Sequence, residues 1–221
     1  MQVLTILLVA ITSFIATNID DIIVLVLLFS QVNSRYSRFS LQHIIAGQYI
    51  GFTALILASL PGLFGSLIIP HAWIGLLGLV PIAMGVKQLL SREEEGEQIQ
   101  LVSDVSTQPQ NKKVPRSFIS NLVSIQTYKV AAIRLANGGD NIGIYVPLFA
   151  SGNLLHFGIT LSVFYFLVGV WCVIAYLLTR HPALAKLIAS YGQKVVPFVL
   201  IGLGIFILID SETYRLLPLF Q

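Results

Sequence analysis

Three aspartates and three asparagines fall in two short stretches that resemble each other. The first reads Ala16-Thr17-Asn18-Ile19-Asp20-Asp21-Ile22 and the second Ala136-Asn137-Gly138-Gly139-Asp140-Asn141-Ile142. Each is embedded in an apolar run long enough to cross hydrocarbon. A charged side chain at the centre of a membrane helix costs about 2.5–3.5 kcal/mol, so a chain that carries acids there in both halves is expected to use them. Carboxylate and carboxamide oxygens are hard donors, the ligand type that suits a divalent cation. The expected chemistry is therefore reversible binding of a transported cation. A proton or sodium relay through the same residues is compatible with it.

The local sequence shows how such a site would be built. Gly138-Gly139 lowers the cost of an unwound turn, and breaks of this kind are tolerated in membrane helices where they line a cavity. Unwinding would free carbonyls between Arg134 and Gly139 beside Asp140. Asp20 and Asp21 point about 100° apart on a continuous helix, so both face one ion only if the helix breaks there too. The expected metal site comprises Asp20 and Asp140 as direct ligands, with Asn18, Asn137 and Asn141 nearby. Asp21 would support them or carry a proton. Thr17, Gln48 and Tyr145 are candidates to line the path, although Gln48 lies in Gly47-Gln48-Tyr49-Ile50-Gly51, a small-xxx-small pattern that favours close helix packing. A half-helix starting at Asp140 turns its positive end to the site, so the carboxylates must outweigh or cap that end. The competing structural reading is that the acids pair with Arg134 and Lys129 to hold a bundle together. His43, His71, His156 and His181 fall at helix ends and read as interfacial.

The elements that must position these groups are membrane spans. Of 221 residues, 56% are apolar and only 10% charged, against about 25% charged in a soluble domain. The net charge of +3 is spread along the chain and gives no nucleic-acid-binding patch. A single cysteine, Cys172, excludes a disulfide framework or a paired-thiolate metal motif within the chain. Six segments are long enough to span, about 3–30, 42–66, 71–90, 129–150, 156–179 and 194–210. The first would measure about 42 Å as a straight helix against a core of about 30 Å, so it must tilt or break. No Lys or Arg precedes it, so it reads as a retained helix rather than a cleaved signal.

Arg35 and Arg38 lie between the first two segments, Arg92, Lys112, Lys113 and Arg116 between the third and fourth, and Arg180 and Lys186 between the fifth and sixth. The alternate connections, 67–70 and 151–155, carry neither Lys nor Arg. The positive-inside rule then places both termini outside the cytoplasm in a multi-pass protein of the plasma or inner membrane. Residues 91–119, with Glu93-Glu94-Glu95 followed by Ser, Thr, Gln, Pro and Lys, read as a polar cytoplasmic linker between units 1–90 and 120–221. Each unit holds three spans, an odd number, so the two have opposite orientations. Superposing Asp20 on Asp140 also aligns Ile, Val, Leu and Phe of 20–30 with those of 140–150. The fold expected is an all-α membrane protein of six transmembrane helices in two inverted three-helix repeats, with helices 1 and 4 broken at mid-membrane.

At these motifs the chain resembles the CadD-type cadmium resistance transporters of the LysE superfamily. The resemblance rests on Thr17-Asn18-Ile19-Asp20-Asp21, on 136–142 continuing into Tyr145-Val146-Pro147-Leu148-Phe149, and on Gly78-Leu79-Val80-Pro81 before Gly85-Val86-Lys87. It implies a six-helix exporter of divalent metal, cadmium first, with the ion as substrate and no resident cofactor. The oxygen-rich set would suit manganese, calcium or magnesium equally well. Two other classes compete. One is export of an amino acid or small organic cation, as elsewhere in that superfamily. The other is an intramembrane aspartyl protease, because Gly138-Gly139-Asp140 looks like half of a Gly-x-Gly-Asp motif; Ile19 stands before Asp20 where the partner motif has Tyr. Partners are then the metal ion and the bilayer, with a homodimer through glycine-rich faces open. If 91–119 is only a linker, deleting residues 93–110 leaves metal export unchanged at equal expression, and lost export in cells would make the acidic run functional.

Overall fold

A computed structural model describes residues 2–32, 39–65, 70–90 and 124–213 of the chain. The linker expected at 91–119 and the cations Arg35, Arg38, Arg92, Lys112, Lys113 and Arg116 lie outside the described residues. The described residues are helical, with no strand among them. In chain order they form α1 (Gln2–Asn18), α2 (Asp21–Gln31), α3 (Leu41–Gly65), α4 (His71–Ile74), a 3-10 turn at Gly75–Gly78, α5 (Leu79–Leu90), α6 (Ile125–Asn137), a second 3-10 turn at Gly139–Asn141, α7 (Ile142–Ser151), α8 (Leu154–Leu178) and α9 (Pro182–Asp210).

Three helices are each long and apolar enough to cross a membrane, α3, α8 and α9; counting the bent pair α1/α2 as one span makes four. Of tilt and break, α1/α2 takes the break, a 63° bend at Ile19–Asp20. The segment expected at 71–90 is divided, with its apolar helical stretch running from Gly75 to Leu90. The segment expected at 129–150 is likewise cut, at Gly138. It also begins earlier, because Ser124 caps α6 by accepting the Thr127 N–H at 3.3 Å. The sixth segment starts at 182 rather than 194. Pro182 sits in the first turn, where its missing N–H costs nothing, and Lys186 and Gln193 ride on the helix instead of ending it.

Polarity is arranged inside out relative to a soluble protein. Phe166 and Phe198 are 71% and 64% exposed, while Arg134, Asn18, Asp21 and Asn141 are each at most 3% exposed. Apolar side chains facing outward over helices of this length are what a lipid solvent selects. The polar groups then have only one another to satisfy them.

Packing pairs each long helix with the broken one from the other half of the chain. Helix α3 lies against α6 and α7, α8 lies against α1 and α2, and α9 lies against α5. Two glycines set the closest approaches. A Cβ on Gly51 would stand 2.7 Å from both the Ala131 carbonyl oxygen and Arg134 Cβ, so α6 presses Arg134 directly onto the α3 backbone. A Cβ on Gly192 would stand 2.2 Å from Ile19 Cγ1, so the residue inside the first break fills the space beside α9. The small-xxx-small face of Gly47 and Gly51 is thus taken within the chain, against α6, and is not offered to a second copy. Gly51→Val and Gly192→Val are each expected to destabilise the protein by about 1–3 kcal/mol through overpacking, measured by thermal unfolding in detergent. Gly202→Ala, where a Cβ meets nothing within 4 Å, is the control and is expected to be neutral.

Candidate metal site

Each break exposes backbone groups that a continuous helix would have paired, and the way they are satisfied defines the site. At the first break, Asp20 stands at the N-cap of α2 and its carboxylate accepts the Asp21 N–H at 3.1 Å. The Asn18 carbonyl, which the bend releases from the helix ladder, accepts the Trp171 indole N–H of α8 at 2.7 Å. At the second break the chain tightens into a 3-10 turn rather than unwinding fully. The Arg134 carbonyl accepts from Gly138 N at 3.0 Å and the Gly138 carbonyl from Asn141 N at 3.1 Å. The expectation of free carbonyls from Arg134 to Gly139 is therefore corrected, since the 3-10 turn uses at least these two. Asp140 stands in this 3-10 turn, just ahead of α7, where the positive end of a half-helix favours a carboxylate.

One cation joins the two breaks. Arg134, 2% exposed, donates from Nη1 to the Asp21 carboxylate and from Nη2 to the Asn18 amide oxygen. Its guanidinium carbon lies 5.5 Å from the centre of the Phe52 ring, a cation–π distance. The second Asp21 oxygen accepts from Asn137 Nδ2. Asn18, Asp21, Arg134 and Asn137 thus form one closed network spanning more than a hundred residues of sequence. Asn18 Nδ2 donates to the Phe14 carbonyl at 2.7 Å and to the Tyr145 hydroxyl at 3.2 Å, and that hydroxyl is 3.0 Å from Thr17 Oγ1.

The sequence-derived residues are therefore all placed at or beside the breaks, in different roles. Asp20 and Asp140 lie within electrostatic reach of each other and of Arg134. Asn18, Asp21 and Asn137 are held by Arg134 or by one another. Asn141 is buried, and its Nδ2 has no hydrogen-bond partner. Gln48 lines a small cavity of about 10 Å³ together with Asn18, Asp21, Arg134, Trp171 and Cys172. Tyr145 is fully buried among Phe52, Phe149 and Phe164, with ring centres 5.1–6.2 Å away. Among the described residues, no three His, Cys, Asp or Glu side chains converge as a preformed metal cluster.

The competing structural reading holds in part, because Arg134 does pair with an acid, Asp21. Trp171 and Cys172 gave no signal until α8 was seen against the first break. His43 is a correction: it is buried rather than interfacial, and its Nδ1 accepts the Ser40 N–H at 3.2 Å, closing the start of α3.

A second cavity, about 270 Å³, opens between the N-terminal half of α1, the α7/α8 connection and the end of α9, with Thr5, Ser151, His156, Thr160 and Asp210 among its walls. Val9 on its wall and Asn18 at the break are nine residues apart on one helix, about 14 Å. Phe14, Tyr145, Phe149 and Phe164 fill that interval.

The family model for cadmium resistance transporters matches residues 14–220, which takes in both breaks and every helix but the start of α1. The chain belongs to the cadmium resistance transporter family. It is a multi-pass membrane transporter, and metal efflux is its coarse function; it is not an enzyme. Neither curated proteins nor solved structures give a match. The protease reading falls with the family match, because the family is one of transporters.

The network separates Asp21, which Arg134 and Asn137 hold, from Asp140, which they do not. Asp21→Ala leaves the Arg134 charge buried without its partner, and is expected to cost about 3–5 kcal/mol. Asp140→Asn, at an exposed position, is expected to change stability by about 0.5 kcal/mol or less. Thermal unfolding of the two purified variants decides between this division and a bundle held equally by all three acids.

Proposed function

We propose that the chain exports divalent cations, cadmium above all, by binding the ion between Asp20 and Asp140 where the two broken helices meet. The observation that carries this reading is the pair of acids at matched breaks, Asp20 at the N-cap of α2 and Asp140 in the 3-10 turn ahead of α7. Two carboxylates whose charges repel are relieved by a divalent ion between them. Asn141 supports the same reading. A buried amide without a partner costs about 1–3 kcal/mol, and a rotation of that amide offers its oxygen to a bound ion.

The six-span inverted repeat belongs to this proposal. Its support is the packing pattern, in which the second helix of each half covers the broken helix of the other and α5 pairs with α9. Placing the basic connections in the cytoplasm sets both termini outside, in the plasma or inner membrane. The 270 Å³ cavity, formed by the start of α1, the α7/α8 connection and the end of α9, then opens outward. In this account it is the exit vestibule, and the layer of Phe14, Tyr145, Phe149 and Phe164 is the gate that seals the breaks from it. Thr17 and Tyr145 join gate to site through their shared hydroxyl contact. Alternating access follows when one repeat rocks against the other and opens the opposite side.

The test is metal accumulation in efflux-deficient cells producing the parent chain, Asp20→Asn or Asp140→Asn at matched membrane levels, challenged with cadmium, manganese, zinc and calcium. The parent is expected to lower cadmium and both variants to lose the effect. Export of cadmium at the parent's rate by both variants would remove the carboxylate pair from the mechanism, while lowered levels of a different metal would keep the mechanism and reassign the substrate.

A further inference from the structure

We infer that Arg134 is a tethered cation that offsets the negative charge beside the transport site when metal is absent and gives way when metal loads. This rests on the reading of the two breaks as the metal site. The oxygen donors nearest the first break are already used by N–H groups. Both Asp21 oxygens accept, one from Arg134 and one from Asn137, and the Asn18 amide oxygen accepts from Arg134. An arriving divalent ion therefore meets a positive charge held on Asp21 and Asn18, beside the Asp20 and Asp140 carboxylates that would bind it. The cavity beside that charge is about 10 Å³, room for one water and no more.

A guanidinium does not release its proton in proteins, so the repulsion is removed only by moving the side chain. The surroundings supply both the means and a place to go. Arg134 is in the last turn of α6, immediately ahead of the Gly138–Asn141 break. Gly139 has open space where a side chain would be, so the end of α6 can shift without displacing a neighbour there. The Phe52 ring is a second partner, on α3, that Arg134 keeps when the carboxylate turns to metal.

The exchange of one cation for the other solves a problem of the empty carrier. Bare carboxylates returning across a low-dielectric interior are opposed by their desolvation. Arg134 neutralises one of them on the return step and is replaced by the substrate on the export step. Metal-for-metal exchange needs only the loaded carrier, whereas net transport also needs the return. Removing the tethered charge therefore separates the two.

The experiment uses the full chain in proteoliposomes, as parent, Arg134→Gln and Arg134→Lys. Exchange of radiolabelled for unlabelled cadmium at equal concentrations is compared with net cadmium movement into metal-free vesicles. Arg134→Gln is expected to keep exchange and lose net transport, and Arg134→Lys, which restores a charge, to recover net transport. Equal loss of both activities in Arg134→Gln would overturn the inference and make Arg134 a structural clamp, and retention of both would make it a bystander. Thermal unfolding of the same proteins guards against a folding artefact. Cadmium is expected to raise the unfolding temperature of Arg134→Gln more than that of the parent, because the competitor is gone; an equal or smaller rise overturns the inference. If the parent itself shows no cadmium exchange, the metal reading of the site fails first, and that outcome is distinct from any defect confined to Arg134→Gln.

Discussion

The contact on which the structure depends is the buried grip of the Arg134 guanidinium on Asp21 and Asn18. It ties the C-terminal end of α6 to both sides of the first break, and it does so where Arg134 and Asp21 are both almost fully buried. Breaking such a pair on one side leaves an unpaired charge in a low-dielectric interior, which is far costlier than never having buried the pair. The remaining polar groups arrange themselves around this constraint. Asn137 takes the second Asp21 oxygen, Tyr145 and Thr17 close on Asn18, and Trp171 covers the carbonyl that the bend releases. Two kinked helices are stable because backbone groups at the breaks find partners, some within the break itself and one, the Asn18 carbonyl, on another helix.

That arrangement divides labour between neighbouring acids. With no metal bound, Asp21 is taken up by two N–H donors. Asp20 instead caps α2 and Asp140 stands in the turn ahead of α7, where a positive helix end favours negative charge. The half-helix dipoles, which act against a cation, thus help keep the carboxylates in place. A site built this way is constrained enough to hold its shape while empty.

Much of this was legible in the residues. The matched acids, the glycine pair and a first apolar run too long for one straight span together signalled two broken helices, and the 63° bend falls at Ile19–Asp20. The all-helical, lipid-facing character followed from composition. Boundaries were less legible, because Pro182 and Ser124 start helices with residues that also occur in loops. The clamp was legible only as a general pairing of the acids with Arg134, not as a grip on Asp21 and Asn18. Arg134 and Asp21 are 113 positions apart, and nothing local distinguishes an arginine that grips a carboxylate from one that snorkels to an interface. The same holds for Trp171, whose role exists only because a distant bend releases a carbonyl. Cys172 was set aside as a lone thiol, yet the packing of α8 brings it to the wall of the small cavity beside Asp21.

The nearness of a soft sulfur to a set of hard oxygens makes the coordination shell the most direct readout of the account. The measurement is X-ray absorption at the cadmium edge on the purified, metal-loaded chain and on its Asp20→Asn/Asp140→Asn double variant. The account predicts a first shell of oxygen in the parent and no stoichiometric cadmium bound to the double variant. A sulfur in the first shell, kept when both carboxylates are gone, would contradict it and move the site to Cys172.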